Sequence, residues 1–322
     1  MNAKEKIKWG FMGAGRICGW MAEAMSVIED AEKYVIASRT LEKAQAFAAK
    51  HGFTKAYGSY EEMLSDPEVD IVYIGTPVSE HFKHIKMCLE AGKNVLCEKS
   101  LTLSGAEARE AVKMAREKNL FLMEAMWMKC QPAYRKVKEW IANGLMGEIQ
   151  AVDVRFYTAA GKGHRLYDKS IAGGALLDLG VYPITYACDM LGYHPEQIIS
   201  NSVIGQTGVD YFDSIVMTYP GGKTAHCSTG LGSEKMVSVF LLGSKGRVTI
   251  SKEFFFQAQS VELLDFDSNV IDSFSEPFMK NGYEYEAIEA MKCLREGKIE
   301  SDLIKLDDTV AVMEILDKIA ES

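Results

Sequence analysis

The stretch Gly10-Phe11-Met12-Gly13-Ala14-Gly15-Arg16-Ile17-Cys18 closes an apolar run and opens a segment of helical spacing. Glycines let a backbone turn sharply and approach a ligand closely. The first N–H groups of the following helix, with the positive end of its dipole, face whatever occupies the turn. An anion suits that place, and between a strand and a helix the anion is the pyrophosphate of a dinucleotide. Gly10, Gly13, Ala14, Gly15, Arg16 and Ile17 are the candidate contacts; Cys18 stands where the usual fingerprint has a third glycine. Cofactor choice is read at the end of the second strand, where a carboxylate would accept hydrogen bonds from the adenosine ribose of NAD. The chain has Ser38-Arg39-Thr40 there. A hydroxyl donor followed by a guanidinium suits a 2′-phosphate, so NADP is expected over NAD.

Other candidates end later strands. Ile74-Gly75-Thr76-Pro77 places Thr76 and Pro77 at the carboxyl edge of the sheet, where open α/β folds bind ligands; His81, one turn on, lines the cofactor or serves as a cap or packing residue. Glu98-Lys99-Ser100 ends the next strand. A lysine at a strand end is usually solvated; at a ligand edge it is a candidate for proton transfer, or for lowering the pKa of a neighbouring acid. Further on, Gly173-Gly174-Ala175-Leu176-Leu177-Asp178-Leu179-Gly180-Val181-Tyr182 opens a helix with glycines and puts Asp178 and Tyr182 on one face. Burying such a polar pair unpaired costs about 1–3 kcal/mol, so the pair either serves a site or forms a structural hydrogen bond between domains. His81 and His84 have no third ligand near them, and no metal site is expected.

The elements that must position these residues follow from the rhythm of the chain. Short β-rich runs alternate with helical segments from Lys6 to Ala125, the pattern of βαβ units. The expected strands are Ile7 to Phe11, Lys33 to Ser38, Lys55 to Tyr57, Val69 to Ile74, Asn94 to Cys97 and Phe121 to Glu124. Ser59 and Ser104 each begin a Ser-x-x-Glu capping box, and Thr40 is a further candidate cap. After Pro132 successive extended segments are joined by tight turns, with Pro220-Gly221-Gly222 the clearest hairpin. The predicted fold is α/β: residues 1–125 form a Rossmann doubly wound parallel sheet, and residues 126–322 an α+β domain with a large, mostly antiparallel sheet. Helices at Gly174 to Leu191, Tyr283 to Glu296 and Leu306 to Ala320 are expected on one face of that sheet, leaving the other for a partner.

Composition bounds the function. The chain has 322 residues, enough for two cores, with 48% hydrophobic and 25% charged residues. A net charge of -9 argues against a nucleic-acid partner, which needs a basic field. Neither an export signal nor an uninterrupted apolar run of about 18 residues is evident, so no membrane association is expected. The seven cysteines form no Cys-x-x-Cys pair and fit reduced core thiols in the cytoplasm.

Taken together, Gly10 to Ile17, Ala37-Ser38-Arg39, Gly75-Thr76-Pro77, Glu98-Lys99, Phe121 to Trp127 and Gly173 to Tyr182 resemble the glucose–fructose oxidoreductase / inositol dehydrogenase (Gfo/Idh/MocA) family over nearly the whole chain. Within it the chain is most similar to the branch of dimeric dihydrodiol dehydrogenases and NADP-dependent xylose dehydrogenases. The resemblance implies that Lys99 sits beside the nicotinamide and that the Asp178 helix completes the site from the second domain. It further implies that Tyr182 is the general acid, with Lys99 lowering its pKa and Asp178 orienting the pair, and that Glu98 belongs to the cofactor site. Trp127, His164 and Arg165 would line the substrate side. The family usually has proline after Glu-Lys; this chain has Ser100. The implied activity is NADP(H)-dependent hydride transfer to or from an alcohol or carbonyl of a sugar, polyol or trans-dihydrodiol, by a homodimer paired through the open sheet face. The alternatives are an NAD-linked inositol-type dehydrogenase and a non-catalytic NADPH-sensing regulator of the same fold.

Overall fold

The computed structural model describes residues 6–161, 163–232, 234–250 and 254–321, and the chain divides into two compact units, Met1–Trp127 with Phe278–Thr309 and Met128–Pro277 with Val310–Ser322. In the first unit, strands β1 (Ile7–Met12), β2 (Ala31–Ala37), β3 (Lys55–Tyr57), β4 (Ile71–Ile74), β5 (Asn94–Glu98) and β6 (Leu122–Ala125) form a six-stranded sheet in the order β3-β2-β1-β4-β5-β6. Every pairing is parallel. β4 reads Ile-Val-Tyr-Ile and is buried at each position, as a strand covered on both faces must be. Helices α1 (Arg16–Ala24), α2 (Leu41–His51), α3 (Tyr60–Leu64), α4 (His81–Glu90) and α5 (Gly105–Lys118) supply that cover.

The helix starts show where local chemistry was decisive. The Ser59 and Ser104 side chains accept the N–H groups of Glu62 and Glu107, as the capping boxes require. Thr40 occupies the cap position of α2 but makes no side-chain cap bond, so only its position matches the expectation. Gly52 closes α2 with φ 76°.

The segment 278–309 packs with the first unit, not with the second sheet as the helical pattern at Tyr283 to Glu296 suggested. Its attachment closes an open edge: Leu122 N donates to Ile299 O at 3.1 Å beyond β6, and Thr309 Oγ1 donates to Glu124 Oε2 at 3.1 Å. Arg116 adds ion pairs to Glu300 at 3.2 Å and Asp307 at 2.9 Å. An amphipathic stripe reports that a helix is covered, but not by which sheet.

In the second unit, helix α6 (Pro132–Ala142) leads into β7 (Ile149–Thr158), and helix α7 (Val181–Leu191) precedes β8 (Gln197–Ile204), β9 (Asp210–Tyr219) and β10 (Lys223–Leu231). Strands β11 (Met236–Gly243), β12 (Arg247–Ile250), β13 (Ser260–Leu264) and β14 (Val270–Ser275) complete an eight-stranded sheet, ordered β14-β13-β12-β11-β7-β10-β9-β8. All pairings are antiparallel except β10 with β7. The edge strand β14 is rich in exposed residues. Val152, Val154 and Phe156 turn inward, where α7 packs, while Gln150 and Arg155 face out. The run Lys169–Leu191 is long and apolar enough to cross a membrane by length and composition, and 72% of its apolar window is buried inside the protein. Asp189 anchors α7: Tyr134 donates to it at 2.6 Å, Tyr193 at 2.7 Å, and Lys129 pairs with it at 3.2 Å. Burial alone would raise this carboxyl, but Lys129 and Lys138 outweigh it and hold it at about 2.

The later helices are α8 (Glu284–Arg295) and α9 (Leu306–Ala320). Glu284 caps its own helix, accepting the N–H groups of Lys280 at 2.9 Å and Gly282 at 2.8 Å.

Candidate active site

In the first unit, β1 and β4 are the neighbouring strands at which the winding of the sheet reverses, and the turns after them face each other there. Gly13 has φ 108°, and a Cβ on it would lie 3.1 Å from Gly75 O, so both the backbone angle and the adjoining turn require glycine. Gly15 begins α1; a Cβ there would have only Gly75 O near it, at 3.9 Å. The N-cap residue of α1, exposed Gly15, has no side chain with which to cap it, so the first N–H groups of the helix, beside exposed Arg16, suit an anion. These residues, with half-buried Ala14 and Ile17, fit a dinucleotide pyrophosphate. Gly10 differs: it lies inside β1, and a Cβ would press on Val69 at 3.0 Å and Met63 at 3.2 Å, so its small size serves packing. Cys18 replaces the third glycine without separating helix from sheet, because Gly75 gives way instead; a Cβ on Gly75 would collide with Cys18 Sγ. Burial pushes the Cys18 thiol up to about 12, so it brings no negative charge to the turn.

The other candidates on this edge fall at the expected strand ends. Ser38 is buried after β2, and its N–H donates to Tyr57 O at 3.3 Å, while Arg39 projects into solvent. Pro77 is exposed; Thr76 is half-buried, with Oγ1 2.9 Å from His84 Nδ1. His81 is buried, and its Nδ1 and Nε2 lie 2.9 Å from Ser100 O and Thr76 O respectively. The ring thus sits between the turn after β4 and the loop carrying Lys99, donating to one of the two carbonyl oxygens when neutral; the cap-or-packing alternative accounts for this, and burial lowers its pKa. Burial also lowers His84, to about 4. Glu98 ends β5 buried, accepting the Tyr73 hydroxyl at 2.6 Å, and burial followed by the Glu98 charge raises Tyr73 well above the usual phenol range. Lys99 is half-buried one residue beyond β5, and the Lys99–Ser100 peptide is cis.

Trp127 belongs to the first unit and is buried, stacked on Tyr283 with ring centroids 4.1 Å apart and planes at 11°. Tyr283 lies 6.1 Å from Trp20, over which the Arg16 guanidinium sits at 5.3 Å. A row of rings therefore runs from the glycine turn to Trp127. No sequence signal pointed to Tyr283. Deeper in this unit Glu286 is buried, and neither carboxyl oxygen has a hydrogen-bond partner among the described residues. Burial, then the nearby Glu98 and Glu124 charges, raises it well above the carboxylate range.

The second unit holds the remaining candidates. Gly173 is hemmed in by backbone: a Cβ would lie 2.7 Å from Leu166 O and 2.8 Å from Arg165 O and Asp168 O. A π-helical turn, Leu176–Gly180, precedes α7, so Asp178 and Tyr182 straddle a junction and are not one regular α-helical turn apart, as their spacing suggested. Both carboxyl oxygens of Asp178 accept Arg165 Nη2 at 3.0 Å. His164 Nδ1 accepts Leu166 N at 3.4 Å, which fixes the start of that same loop. Tyr182, only 6% exposed, packs 4.9 Å from Phe256 and 5.9 Å from Phe156, and Phe254 stacks on Phe256 at 4.9 Å. A phenol walled by aromatic rings is shielded from water on that side. Among the described residues no group of His, Cys, Asp and Glu is placed to hold a metal ion.

Residues 7–126 match the model of an oxidoreductase family with an NAD-binding Rossmann fold, GFO_IDH_MocA, and residues 134–249 match the GFO/IDH/MocA C-terminal domain. The chain is 33% identical to a trans-1,2-dihydrobenzene-1,2-diol dehydrogenase of Xenopus laevis, over 98% of this chain and 97% of that one. It is equally 33% identical to the Homo sapiens protein of that name, over 98% and 96%. Among solved structures it resembles the 3-ketoreductase KijD10 from Actinomadura kijaniata in complex with NADP, with a TM-score of 0.87, 26% identity and 98% coverage of both chains. A levoglucosan dehydrogenase in complex with NADH and levoglucosan shares the fold, with a TM-score of 0.89 at 20% identity over 99% of this chain and 97% of that one.

Proposed function

Since the chain belongs to the Gfo/Idh/MocA oxidoreductase family, we propose that it is an NADP(H)-dependent oxidoreductase acting on an alcohol or carbonyl of a sugar, polyol or trans-dihydrodiol. The observation that carries this reading is the uncapped start of α1 beside Gly13 and Gly15, on the same sheet edge as Ser38-Arg39 and Lys99.

NADPH, when bound, supplies the hydride. The first N–H groups of α1 would hold its pyrophosphate, and Ser38 and Arg39 would bind the 2′-phosphate. Tyr182 is the proton donor to the substrate oxygen as the carbonyl carbon is reduced, and Lys99 is assigned the positive charge that favours that proton transfer. Asp178 holds Arg165 through both carboxyl oxygens, which supports a role for that guanidinium and the neighbouring His164 in substrate binding. The rings of Phe156, Phe254 and Phe256 around Tyr182 favour a substrate with an apolar or CH-rich face.

The chain pairs with a second copy through the outer face of the eight-stranded sheet. Val203, Phe212, Gly230, Tyr157 and Met236 stand in register across β8, β9, β10, β7 and β11, and Val203 and Met236 are 50% and 45% exposed. A contiguous apolar row of this kind supports an interface. All seven cysteines are free and buried, which supports a reducing compartment, the cytoplasm. The test is a screen of sugars, polyols and aromatic dihydrodiols with NADP+ and of carbonyls with NADPH, followed at the reduced-nicotinamide absorbance. Tight NADPH binding with no turnover on any of them would favour a sensor instead.

A further inference from the structure

The first turn of the Tyr182 helix has no cap of its own: Ala175, the residue before the π-helical turn, makes no side-chain cap bond. The sheet supplies one. Asp210, the first residue of β9, accepts the Leu176 N–H through Oδ2 at 2.5 Å. Its Oδ1 lies so close to Gly174, φ 138°, that any Cβ there would collide with it. Beside it stands Asp213, 1% exposed, whose Oδ1 accepts Ser202 Oγ at 2.6 Å while Oδ2 has no donor among the described residues. Burial, together with Asp210, raises the Asp213 pKa. The unsatisfied Asp213 Oδ2 and its neighbour Asp210 thus place two carboxyl groups side by side at the helix start, where negative charge is favoured.

We propose that Asp210 is a positioning residue for Tyr182, fixing from the sheet the turn that carries Asp178 and the phenol, with Asp213 holding Asp210 in place. The inference rests on the reading of Tyr182 as proton donor. Asp210→Ala leaves Leu176 N unpaired and releases the turn, whereas Asp210→Asn keeps an acceptor for Leu176 and offers its amide N–H to Asp213.

The experiment compares wild type, Asp210→Ala, Asp210→Asn and Tyr182→Phe in steady-state turnover and in amide hydrogen exchange of the segment 174–182. Asp210→Ala is expected to lose about 10- to 100-fold in kcat, the scale of a misplaced catalytic group, with the KM for NADPH nearly unchanged. Asp210→Asn is expected to restore most of kcat and wild-type exchange, while Asp210→Ala exchanges faster. An Asp210→Ala enzyme with wild-type kcat and exchange overturns the proposal, as does an Asp210→Asn enzyme no better than Asp210→Ala. If Tyr182→Phe turns over like wild type, the proton-donor reading falls separately, and exchange alone decides whether Asp210 anchors the turn. Should Asp210→Ala not fold, Asp210→Ser, whose hydroxyl is too short to span to Leu176, is read in the same way.

Discussion

Trp127 and Tyr283 stack with their planes 11° apart and their ring centroids separated by 4.1 Å. The pair joins the end of β6 to the segment that folds back from the far end of the chain. Offset aromatic pairs contribute about 0.5–1.5 kcal/mol beyond the area they bury. Tyr283→Ala is therefore expected to lower the melting temperature and to raise the substrate KM by releasing Trp127, with a smaller change in kcat; Tyr283→Phe keeps the stack and both parameters. Calorimetry with steady-state kinetics checks this.

In the proposed reading, cofactor choice rests on Arg39, exposed after β2, and on Ser38 before it. Charge-assisted hydrogen bonds contribute about 1.5–3 kcal/mol, so Arg39→Ala is expected to weaken NADPH binding by about 10- to 100-fold while leaving NADH nearly unaffected. Ser38→Asp adds a carboxylate that repels the 2′-phosphate and shifts preference towards NADH. Fluorescence titration with each reduced cofactor decides it.

Tyr182→Phe removes the proposed proton, and Lys99→Met the proposed charge. Each is expected to lower kcat by about 10²- to 10⁴-fold, the usual contribution of general acid catalysis, without weakening NADPH binding. Because both act on one proton transfer, the double variant should lose less than the product of the single losses. Strictly multiplicative losses would separate their roles.

Glu286 is buried without a hydrogen-bond partner among the described residues, and its pKa is raised by burial and by Glu98 and Glu124. The sign of its effect follows from linkage: the unfolded chain ionises this carboxyl near 4.5 while the folded chain keeps it neutral, so its contribution to stability falls as pH rises from there towards the raised folded value. Glu286→Gln removes that penalty. Its gain in unfolding free energy is expected to be smallest at pH 5 and to grow with pH, by at most about 1.4 kcal/mol for each unit, until the folded carboxyl itself ionises, as read from denaturant curves at pH 5, 6, 7 and 8. A gain independent of pH would mean that Glu286 is charged in the folded state.

The proposed dimer is tested on the outer sheet face. Phe212 and Tyr157 flank Gly230 so closely that a Cβ on that glycine would collide with the Phe212 ring. Phe212→Lys places a charge in the middle of the row, and sedimentation velocity is expected to show a monomer that retains NADPH binding. A dimer unaffected by the change would move the interface elsewhere.

What the sequence determined by itself is local. Glycine at positions 13 and 15, serine at 59 and 104, and the alternation of β-rich and helical runs act over a few residues, through backbone angles, caps and burial period, and the six strands of the first sheet follow from them. The strand-end placement of Ser38, Thr76 and Lys99 was legible for the same reason, since position in a βαβ unit implies position on the edge. Tertiary structure decided what depends on partners far apart in the chain. Helix Glu284–Arg295 joins the first unit because β6 has an open edge to cover. Gly10 is a packing position because Met63 and Val69 fill the space beside it, and the missing third glycine is made good by Gly75. Asp178 pairs with Arg165, and Asp210 caps the Tyr182 helix, because folding brings a loop and a strand to that helix start. Periodicity reports which face of an element is covered; only the assembled chain settles which residue covers it.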